Sequence, residues 1–333
     1  MKRIAINGLG RTGRVMLRRF LTGDAPDGLE LVAVNDLADA DDMAYLVTYD
    51  SVHGRLPEPV RLESGRLVFG SRSVPIFREA EPDRLPWREL GVDVVIEATG
   101  AFTSRAGAAR HLAAGARRVL IGAPAPDADV TLVLGVNSGD FDPEAHRVIS
   151  NASCTTNSLA PVLMVLNRVF GLEEAVATTV HAYTASQGIV DKPAKKKHRG
   201  RAAAVSMIPT STGADAATVQ VLPQLAGKLR AIAIRVPVPN GSLTDISARL
   251  TLAADAAEIN QALATAAGGE LRGILGYTEE ELVSVDIMGR RESGIVHARS
   301  TASTGRLCKV LVWYDNESGY AARCLDVIAT LPL

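Results

Sequence analysis

The stretch "RIAINGLGRTGR" (residues 3–14) decides the fold of the first half of this chain. Its first five residues form a short apolar strand pattern, and Gly8, Gly10 and Gly13 follow with the spacing G-x-G-x-x-G. A helical pattern comes next, and then a second strand, "LELVAVND", which ends at Asp36. A lone glycine-rich turn would be weak evidence, because such turns are common. Strand, glycines, helix, strand and terminal acid in this order predict a dinucleotide-binding unit.

The same motif predicts which dinucleotide binds. The glycines allow the backbone to approach a pyrophosphate at the helix N-terminus, and the acid binds the ribose hydroxyls. Because Asp36 would repel a 2′-phosphate, it favours NAD over NADP. Two further buried-strand patterns, at 92–97 and 117–122, flank a helical stretch near 104–115. This alternation predicts an α/β fold with a doubly wound (Rossmann) parallel sheet.

Composition narrows the function classes. A length of 333 residues favours two domains, and 47% hydrophobic with 22% charged residues is ordinary for a globular enzyme. A net charge of −1 gives no indication of nucleic acid or a membrane as partner. The N-terminus reaches glycines too early for a signal peptide, and three cysteines without a CxxC favour reduced thiols and a cytoplasmic protein. The six histidines show no metal-ligand spacing, so we expect no metal site.

The stretch "NASCTTNS" (151–158) contains the cysteine with the most reactive setting. It follows the strand pattern "HRVIS", and apolar residues recur after Cys154 at helical spacing, so Cys154 is expected at a helix start. The helix dipole there should stabilise a thiolate and lower its pKa. Cys308 lies in a strand pattern and Cys324 on the apolar side of a C-terminal helix, so both are expected to pack in the core.

A base for this thiol is suggested by the strand pattern "AVATTVHAYT" (175–184), which contains His181. A solitary histidine in a strand is often a buried structural side chain, but His181 lies just before a polar loop, where catalytic groups are common. The rest of the second half predicts an α+β catalytic domain with a mainly antiparallel sheet. Its strands are expected at 231–238, 244–252 and 309–315, and its helices near 212–221, 255–267 and 317–331.

Several segments together resemble the phosphorylating glyceraldehyde-3-phosphate dehydrogenases. They are "INGLGRTGR", "VNDLADA", "YDSVHGR", "GVDVVIEATGAFTSR", "SNASCTTN", "TTVHAYT", "IPTSTGA", "RVPVPN" and "WYDNESGY". The resemblance extends from the first strand to the last helix. It implies that an aldehyde is oxidised with NAD and inorganic phosphate through a thioester on Cys154, with His181 as base. The product expected from D-glyceraldehyde 3-phosphate is 1,3-bisphosphoglycerate.

The resemblance also assigns binding residues and an architecture. It places a cofactor domain at 1–151 and 316–333, where the last helix packs back, and a catalytic domain at 152–315. Family members are typically homotetramers. The cofactor residues it implies are Gly8, Gly10, Arg11, Thr12, Gly13, Asp36, Thr99, Gly100, Asn316 and Tyr320. For the substrate phosphate it implies Thr184 and Arg235, and for inorganic phosphate Ser153, Thr155, Thr212 and Gly213.

The stretch "TASQGIVDKPAKKKHRGRAA" (184–203) departs from the commonest family form. It contains Lys192, Lys195, Lys196 and Lys197, which are four of the seven lysines of the chain. A charge run of this kind is usually a solvated surface. In the family, however, this loop lies near a neighbouring subunit's cofactor, where lysines could admit the 2′-phosphate of NADP. We therefore expect NAD preference, with use of NADP as an alternative.

Two other functions fit these motifs less well. An erythrose-4-phosphate dehydrogenase shares the cysteine and histidine, but "IPTSTGA" and Thr184 resemble the glyceraldehyde-phosphate branch more closely. A protein that senses NAD or binds RNA after losing catalysis should have lost Cys154, His181 or Arg235, and all three are present. The lysine run lacks interleaved aromatic residues, so nucleic acid is not expected as a main partner.

Overall fold

The computed structural model describes residues 1–332, and the chain forms two compact units. Unit 1 contains Met1–Leu132, Ser138–Ala152 and the chain from Ala321 onwards, whereas unit 2 contains Val133–Asn137 and Ser153–Tyr320. The predicted first domain resumes at residue 316, whereas unit 1 of the structure resumes at Ala321.

Unit 1 is built on a nine-stranded sheet with the strand order β10-β11-β9-β8-β1-β2-β7-β6-β5. The strands from β10 to β7 pair in parallel, and β5 and β6 add antiparallel hairpins at one edge. The predicted doubly wound parallel sheet is therefore confirmed. The strands of this sheet are β1 Lys2–Asn7, β2 Leu29–Asn35, β5 Arg61–Glu63, β6 Arg66–Phe69, β7 Arg72–Phe77, β8 Val94–Glu97, β9 Arg118–Ile121, β10 Val130–Thr131 and β11 Val148–Ser150. Two further strands, β3 Tyr49–Asp50 and β4 Gly54–Arg55, pair with each other outside it. The helices of this part of the chain are α1 Arg11–Thr22, α2 Ala40–Thr48, α3 Arg105–Ala108 and α4 Arg110–Ala113.

The glycine motif fixes how α1 packs against the first strand. Gly8 has a φ of +97°, and a Cβ on it would lie 2.6 Å from the backbone nitrogen of Thr99. A Cβ on Gly13 would overlap the carbonyl oxygen of Gly8. Two of the three glycines are thus required by close approach of backbone to backbone, which is the physical reason for the motif.

The helix predicted near 104–115 is divided into α3 and α4. Ser104 caps α3 by accepting from the Gly107 N–H at 3.1 Å, and Ala109 between the two helices has a ψ of −16°. This value is close to the tighter 3₁₀ geometry, so the regular i→i+4 pattern is interrupted there. Sequence periodicity alone does not detect such a local change.

Unit 2 is an eight-stranded mixed sheet with helices. The strand order is β13-β14-β12-β15-β19-β17-β16, and β18 pairs with β19. The pairs β12–β14 and β16–β17 are parallel and the others are antiparallel, which confirms a mainly antiparallel sheet. The strands are β12 Leu172–Ala182, β13 Ile208–Ser211, β14 Leu229–Val236, β15 Ser242–Leu250, β16 Leu275–Thr278, β17 Gly294–His297, β18 Ala302–Thr304 and β19 Leu307–Tyr314. The helices are α5 Cys154–Phe170, α6 Ala214–Val221, α7 Ala256–Gly268 and α8 Ser318–Thr330, and α8 enters unit 1 at Ala321.

The strand of unit 2 that contains His181, β12, alternates between buried and more exposed residues from Ala175 to His181. Ala175, Ala177, Thr179 and His181 are buried, whereas Val176 on the opposite face is 54% exposed. This alternation places the histidine on the buried face of the sheet. Within residues 1–332 no helix is long and apolar enough to cross a membrane.

The glycine contact can be tested by substitution. We expect Gly13→Ala to lower the free energy of unfolding by roughly 1–3 kcal/mol, because the added methyl group forces α1 away from β1. Gly139→Ala is the matched control, since an added Cβ there meets no atom within 4 Å. Denaturant unfolding of both variants measures the difference. Equal stabilities would show that α1 accommodates the methyl group.

Candidate active site

Cys154 is the first residue of α5, as predicted. Ser153 caps the helix, because its Oγ accepts a hydrogen bond from the Thr156 N–H at 3.0 Å. Ala152 precedes the cap with a φ of +52°, in the left-handed region that alanine rarely occupies. Backbone strain of this kind is frequent beside functional residues.

His181 lies near the end of β12 and faces the cysteine. The Cys154 Sγ and the His181 Nε2 are 3.6 Å apart. The His181 Nδ1 lies 2.7 Å from the carbonyl oxygen of Ala182, which can only accept a hydrogen bond. With the ring proton on Nδ1 and shared with this carbonyl oxygen, the lone pair of Nε2 is directed at the thiol. This is the arrangement of a base next to a nucleophile.

Arg235 is the register partner of His181 on the neighbouring parallel strand β14. Its guanidinium contacts the imidazole at Nδ1 and donates to the Ala182 carbonyl oxygen at 2.9 Å. Burial of the ring and the positive charge of Arg235 lower the pKa of His181 to about 3. His181 is consequently neutral at neutral pH and able to accept a proton.

The pKa of Cys154 differs from the expectation based on the helix start. Burial raises the pKa of the thiol above its usual range, and this effect outweighs the charge of Arg235 and the hydrogen bond from Thr155, which both lower it. The sequence reveals the helix start, but it does not reveal how deeply the sulfur is enclosed. Deprotonation of Cys154 therefore needs a proton acceptor, and the His181 Nε2 lies 3.6 Å from the sulfur.

Two residues of this site were not identified from the sequence. The Tyr314 hydroxyl, fully buried, bonds to Thr155 Oγ1 at 2.9 Å and to Thr179 Oγ1 at 2.6 Å, so it joins α5 to β12. Arg199 donates from Nε to the Thr210 Oγ1 at 2.9 Å, and its charge contributes to the lowered pKa of His181. Neither residue carries a local sequence signal, because each reaches the site from a distant segment.

The residues expected to bind phosphate lie on several elements of unit 2. Thr184 is three residues beyond His181, and its hydroxyl bonds to Ser186 Oγ at 2.8 Å. Gly213 occupies the N-cap position of α6, and Thr212 Oγ1 accepts from the Ala214 N–H at 3.2 Å. A helix start of this kind attracts anions. Arg235, expected beside the substrate phosphate, contacts the catalytic histidine directly.

Unit 1 contains a cavity of about 410 Å³ at the carboxyl ends of its parallel strands. Asp36 lies in its wall, and its carboxylate accepts from the Leu9 N–H at 2.6 Å and the Ala38 N–H at 2.9 Å. A Cβ on Gly8 would fill the backbone cradle beside Thr99, so these residues fit a dinucleotide that approaches the backbone closely. The expected residues that line the cavity are Gly8, Gly10, Asp36 and Thr99, and the lining residues not expected are Asn7, Asn35, Leu37, Glu79, Ala80, Ala98, Ala101 and Phe102.

The other expected cofactor residues lie outside this lining. Arg11 pairs in a bidentate way with the buried Asp50, at 2.6 and 2.9 Å, so its guanidinium is held by the protein. Thr12, Gly13 and Gly100 are absent from the cavity wall formed by residues 7–102. Asn316 and Tyr320 belong to unit 2, where the Ser242 hydroxyl donates to the Asn316 Oδ1 at 2.8 Å. This bond leaves the Nδ2 of Asn316 as the group that can reach a ligand.

The lysine run is a surface feature in unit 2. Lys192, Lys195, Lys196 and Lys197 are all exposed, and Lys196 bonds to the hydroxyl of Ser211. Among the residues that the structure describes, no group of three or more His, Cys, Asp and Glu side chains could hold a metal ion.

The fold, the cavity and the cysteine–histidine pair fit an enzyme that binds a dinucleotide. Comparison with family models matches residues 2–105 to the "Glyceraldehyde 3-phosphate dehydrogenase, NAD binding domain" and residues 153–316 to the corresponding "C-terminal domain". The chain belongs to the glyceraldehyde-3-phosphate dehydrogenase family.

Individual relatives support the same family over almost the whole chain. The glyceraldehyde-3-phosphate dehydrogenase of Geobacillus stearothermophilus is 50% identical over 328 residues, which are 98% of this chain and 97% of that relative. Glyceraldehyde-3-phosphate dehydrogenase 1 of Bacillus subtilis has the same identity and coverage. Glyceraldehyde-3-phosphate dehydrogenase 2 of Streptomyces arenae is 48% identical over 99% of this chain and 98% of its own length.

The electrostatics of the cysteine–histidine pair can be tested with an alkylating reagent. We expect Arg235→Gln to move the pH profile of Cys154 alkylation by iodoacetamide upwards by roughly one unit, because a lost positive charge destabilises the thiolate. The pKa of His181 should rise in the same variant, since the charge also disfavours the imidazolium. Arg235→Lys retains the charge and serves as control. An unchanged profile in the glutamine variant would contradict the assigned role of Arg235.

Proposed function

We propose that this protein oxidises D-glyceraldehyde 3-phosphate with NAD and inorganic phosphate to 1,3-bisphosphoglycerate. The observation that carries the proposal is the 3.6 Å contact between the Cys154 sulfur and the His181 Nε2, with Arg235 against the imidazole. A thiol, a neutral base and a fixed cation provide what attack on an aldehyde requires. The names of the relatives support this substrate, and erythrose 4-phosphate is not favoured by them.

The first step forms a thiohemiacetal on Cys154. The sulfur attacks the aldehyde carbon, the S–H proton moves to His181 Nε2, and that proton then passes to the oxygen of the former carbonyl group. The low pKa of His181 keeps the ring neutral beforehand and makes the imidazolium a strong donor to the carbonyl oxygen. It also makes the imidazole a weak acceptor, so the protonated form of His181 is short-lived. The backbone N–H groups at the start of α5 supply further hydrogen-bond donors close to the sulfur.

The second step converts the thiohemiacetal into an acyl phosphate. NAD, when bound, supplies the hydride acceptor for the oxidation. His181 takes the hydroxyl proton as the carbon becomes a thioester carbonyl. An oxygen of inorganic phosphate then attacks this carbon, the C–S bond breaks, and the Cys154 thiolate recovers its proton from His181. Each atom is accounted for, and the histidine ends in its starting state.

Positive charge in unit 2 supports recognition of the two phosphate groups. The charges of Arg235 and Arg199 both lower the pKa of His181, and the charge of Arg235 also lowers that of Cys154. The start of α6, with Gly213 at its N-cap, supplies backbone N–H groups. We assign Thr184 and Arg235 to the substrate phosphate, and we assign inorganic phosphate to Ser153, Thr155, Thr212 and Gly213, with Arg199 as an addition.

In this proposal unit 1 binds the cofactor and unit 2 carries the chemistry on the substrate. Asp36 supports NAD over NADP, because its carboxylate is anchored by two backbone N–H groups and cannot turn away from a 2′-phosphate. The exposed lysines are too mobile as a class to overcome a fixed charge, since each has four rotatable bonds. All three cysteines are free thiols, which fits a reducing compartment, and we propose the cytoplasm.

Turnover assays test the proposed reaction. We expect NADH formation from glyceraldehyde 3-phosphate to require phosphate and to fall at least about 10³-fold in Cys154→Ser, because the hydroxyl is a far weaker nucleophile. Cys308→Ala, which removes a buried cysteine of β19, should retain the activity.

We expect kcat/KM to be at least about tenfold higher with NAD than with NADP. Brisk oxidation of erythrose 4-phosphate with little turnover of glyceraldehyde 3-phosphate would contradict the substrate, and an efficiency with NADP equal to that with NAD would contradict the role of Asp36.

We further propose that the chain assembles as a homotetramer. The outer face of the unit 2 sheet exposes Val176 by 54% and Ile232 by 52%, and the nearby segment exposes Ile189, Val205 and Met207 by 75% or more. Apolar surface of this extent in one region is typical of an interface. A second copy of the same chain satisfies it by symmetry.

Light scattering tests the assembly. We expect a mass of four times 35.1 kDa for the native chain and smaller species for Ile232→Glu, because a buried carboxylate in the interface is costly. Leu252→Glu introduces the same charge at an exposed position outside this face and should leave the mass unchanged. A monomeric mass for the native chain would contradict the proposal.

A further inference from the structure

Beneath the cavity of unit 1 lies a buried histidine that the proposed reaction does not use. The Trp87 Nε1–H donates to the His111 Nδ1 at 2.9 Å, and both side chains are fully buried. An indole nitrogen can only donate, so Nδ1 must carry the lone pair and Nε2 the proton. Trp87 thereby holds the imidazole in a single tautomer.

The proton on His111 Nε2 points at Glu97, the last residue of β8. The Glu97 carboxylate is 2% exposed and accepts from His111 Nε2 at 3.1 Å and from Asn7 Nδ2 at 2.6 Å. Its other oxygen accepts from the Thr99 N–H at 2.8 Å and from the Thr99 hydroxyl. Four donors converge on one buried anion, which is how a carboxylate is retained in a core.

These hydrogen bonds continue across the ends of three adjacent strands into the cavity wall. Asn7 is the register partner of both Asn35 and Glu97. Asn7 Oδ1 accepts from Asn35 Nδ2 at 2.7 Å, and Asn35 Oδ1 accepts from the Glu79 N–H at 2.9 Å. Asn7, Asn35, Glu79 and Thr99 all line the cavity of about 410 Å³. The carboxyl ends of parallel strands are where doubly wound folds bind their ligands.

We propose that His111 and Glu97 are positioning residues for NAD, with Trp87 fixing the tautomer on which they depend. Each hydrogen bond in the series has only one possible direction, because the indole of Trp87 can only donate and the carboxylate of Glu97 can only accept. Glu97 thereby orients the Asn7 amide and the Thr99 hydroxyl at the cavity, and His111 holds Glu97. The inference rests on the proposed function, because it takes this cavity to be the NAD site. Neither residue touches the reacting atoms, so both should affect cofactor binding and leave the chemistry on Cys154 intact.

Calorimetry with NAD on the intact protein tests this directly. We expect His111→Phe, which removes both hydrogen bonds at similar volume, and Glu97→Gln, which turns an acceptor into a donor, each to raise the Kd for NAD about tenfold. The KM for NAD should rise in parallel, while kcat stays within about twofold and Cys154 alkylation is unchanged. His111→Gln retains an acceptor and a donor and should restore the Kd to within about threefold of the native value. The double variant should be no weaker than the single ones, because the two residues act in series.

The matched control is Thr48→Val. Thr48 is 1% exposed and makes two hydrogen bonds of 2.8 Å within unit 1, away from the cavity lining. It should lose stability without losing NAD affinity. An equal loss of affinity in Thr48→Val and His111→Phe would overturn the inference, since general destabilisation would then explain both. If His111→Phe does not fold, Trp87→Phe removes the indole donor together with part of the ring, and an unchanged Kd in that variant would also overturn the inference. If the native protein oxidises the aldehyde but the variants bind NAD as tightly as it does, only this inference is refuted. If the native protein does not bind NAD, the proposed function is refuted as well.

Discussion

The strand register of β12 is the constraint on which the candidate active site depends. Because side chains alternate along a strand, a shift of one residue would turn His181 to the outer face and bring Val180 to the inner one. The parallel pairing with β14 sets Arg235 directly beside His181, and the antiparallel pairing with β15 holds the opposite side. The buried run Ala175, Ala177 and Thr179 fixes this register, so ordinary core packing positions the base.

Burial acts in opposite directions on the two members of the cysteine–histidine pair. It disfavours the charged form of each, and so it raises the pKa of Cys154 and lowers that of His181. Arg235 favours the thiolate and disfavours the imidazolium. The site therefore holds a neutral pair whose charges appear during the reaction, in an environment where fixed dipoles and cations act strongly.

Much of the fold could be predicted from the sequence because its signals are local. The glycine spacing around Gly8 and the apolar strand runs identify the doubly wound sheet, and the polar loop before a helical pattern identifies the position of Cys154. Residues that reach a site from distant segments left no such signal. Tyr314 and Arg199 contact the catalytic elements through the tertiary fold. From the sequence, Glu97 is only the last residue of a strand, and its contact with Asn7 depends on the pairing of the two strands. The sequence also did not predict how deeply the Cys154 sulfur is buried, and so it did not predict that the pKa of the thiol is raised.

Ala152, two residues before the nucleophile, has a consequence for how the enzyme can be engineered. Its left-handed backbone costs on the order of 1 kcal/mol that glycine would avoid, so replacement by glycine removes native strain and at the same time widens the range of conformations open to the loop. A larger side chain is excluded by complete burial of the position. Alanine thus restricts the chain that enters α5 to few backbone conformations. Position 152 therefore accepts almost no substitution without a change in how the chain reaches Cys154.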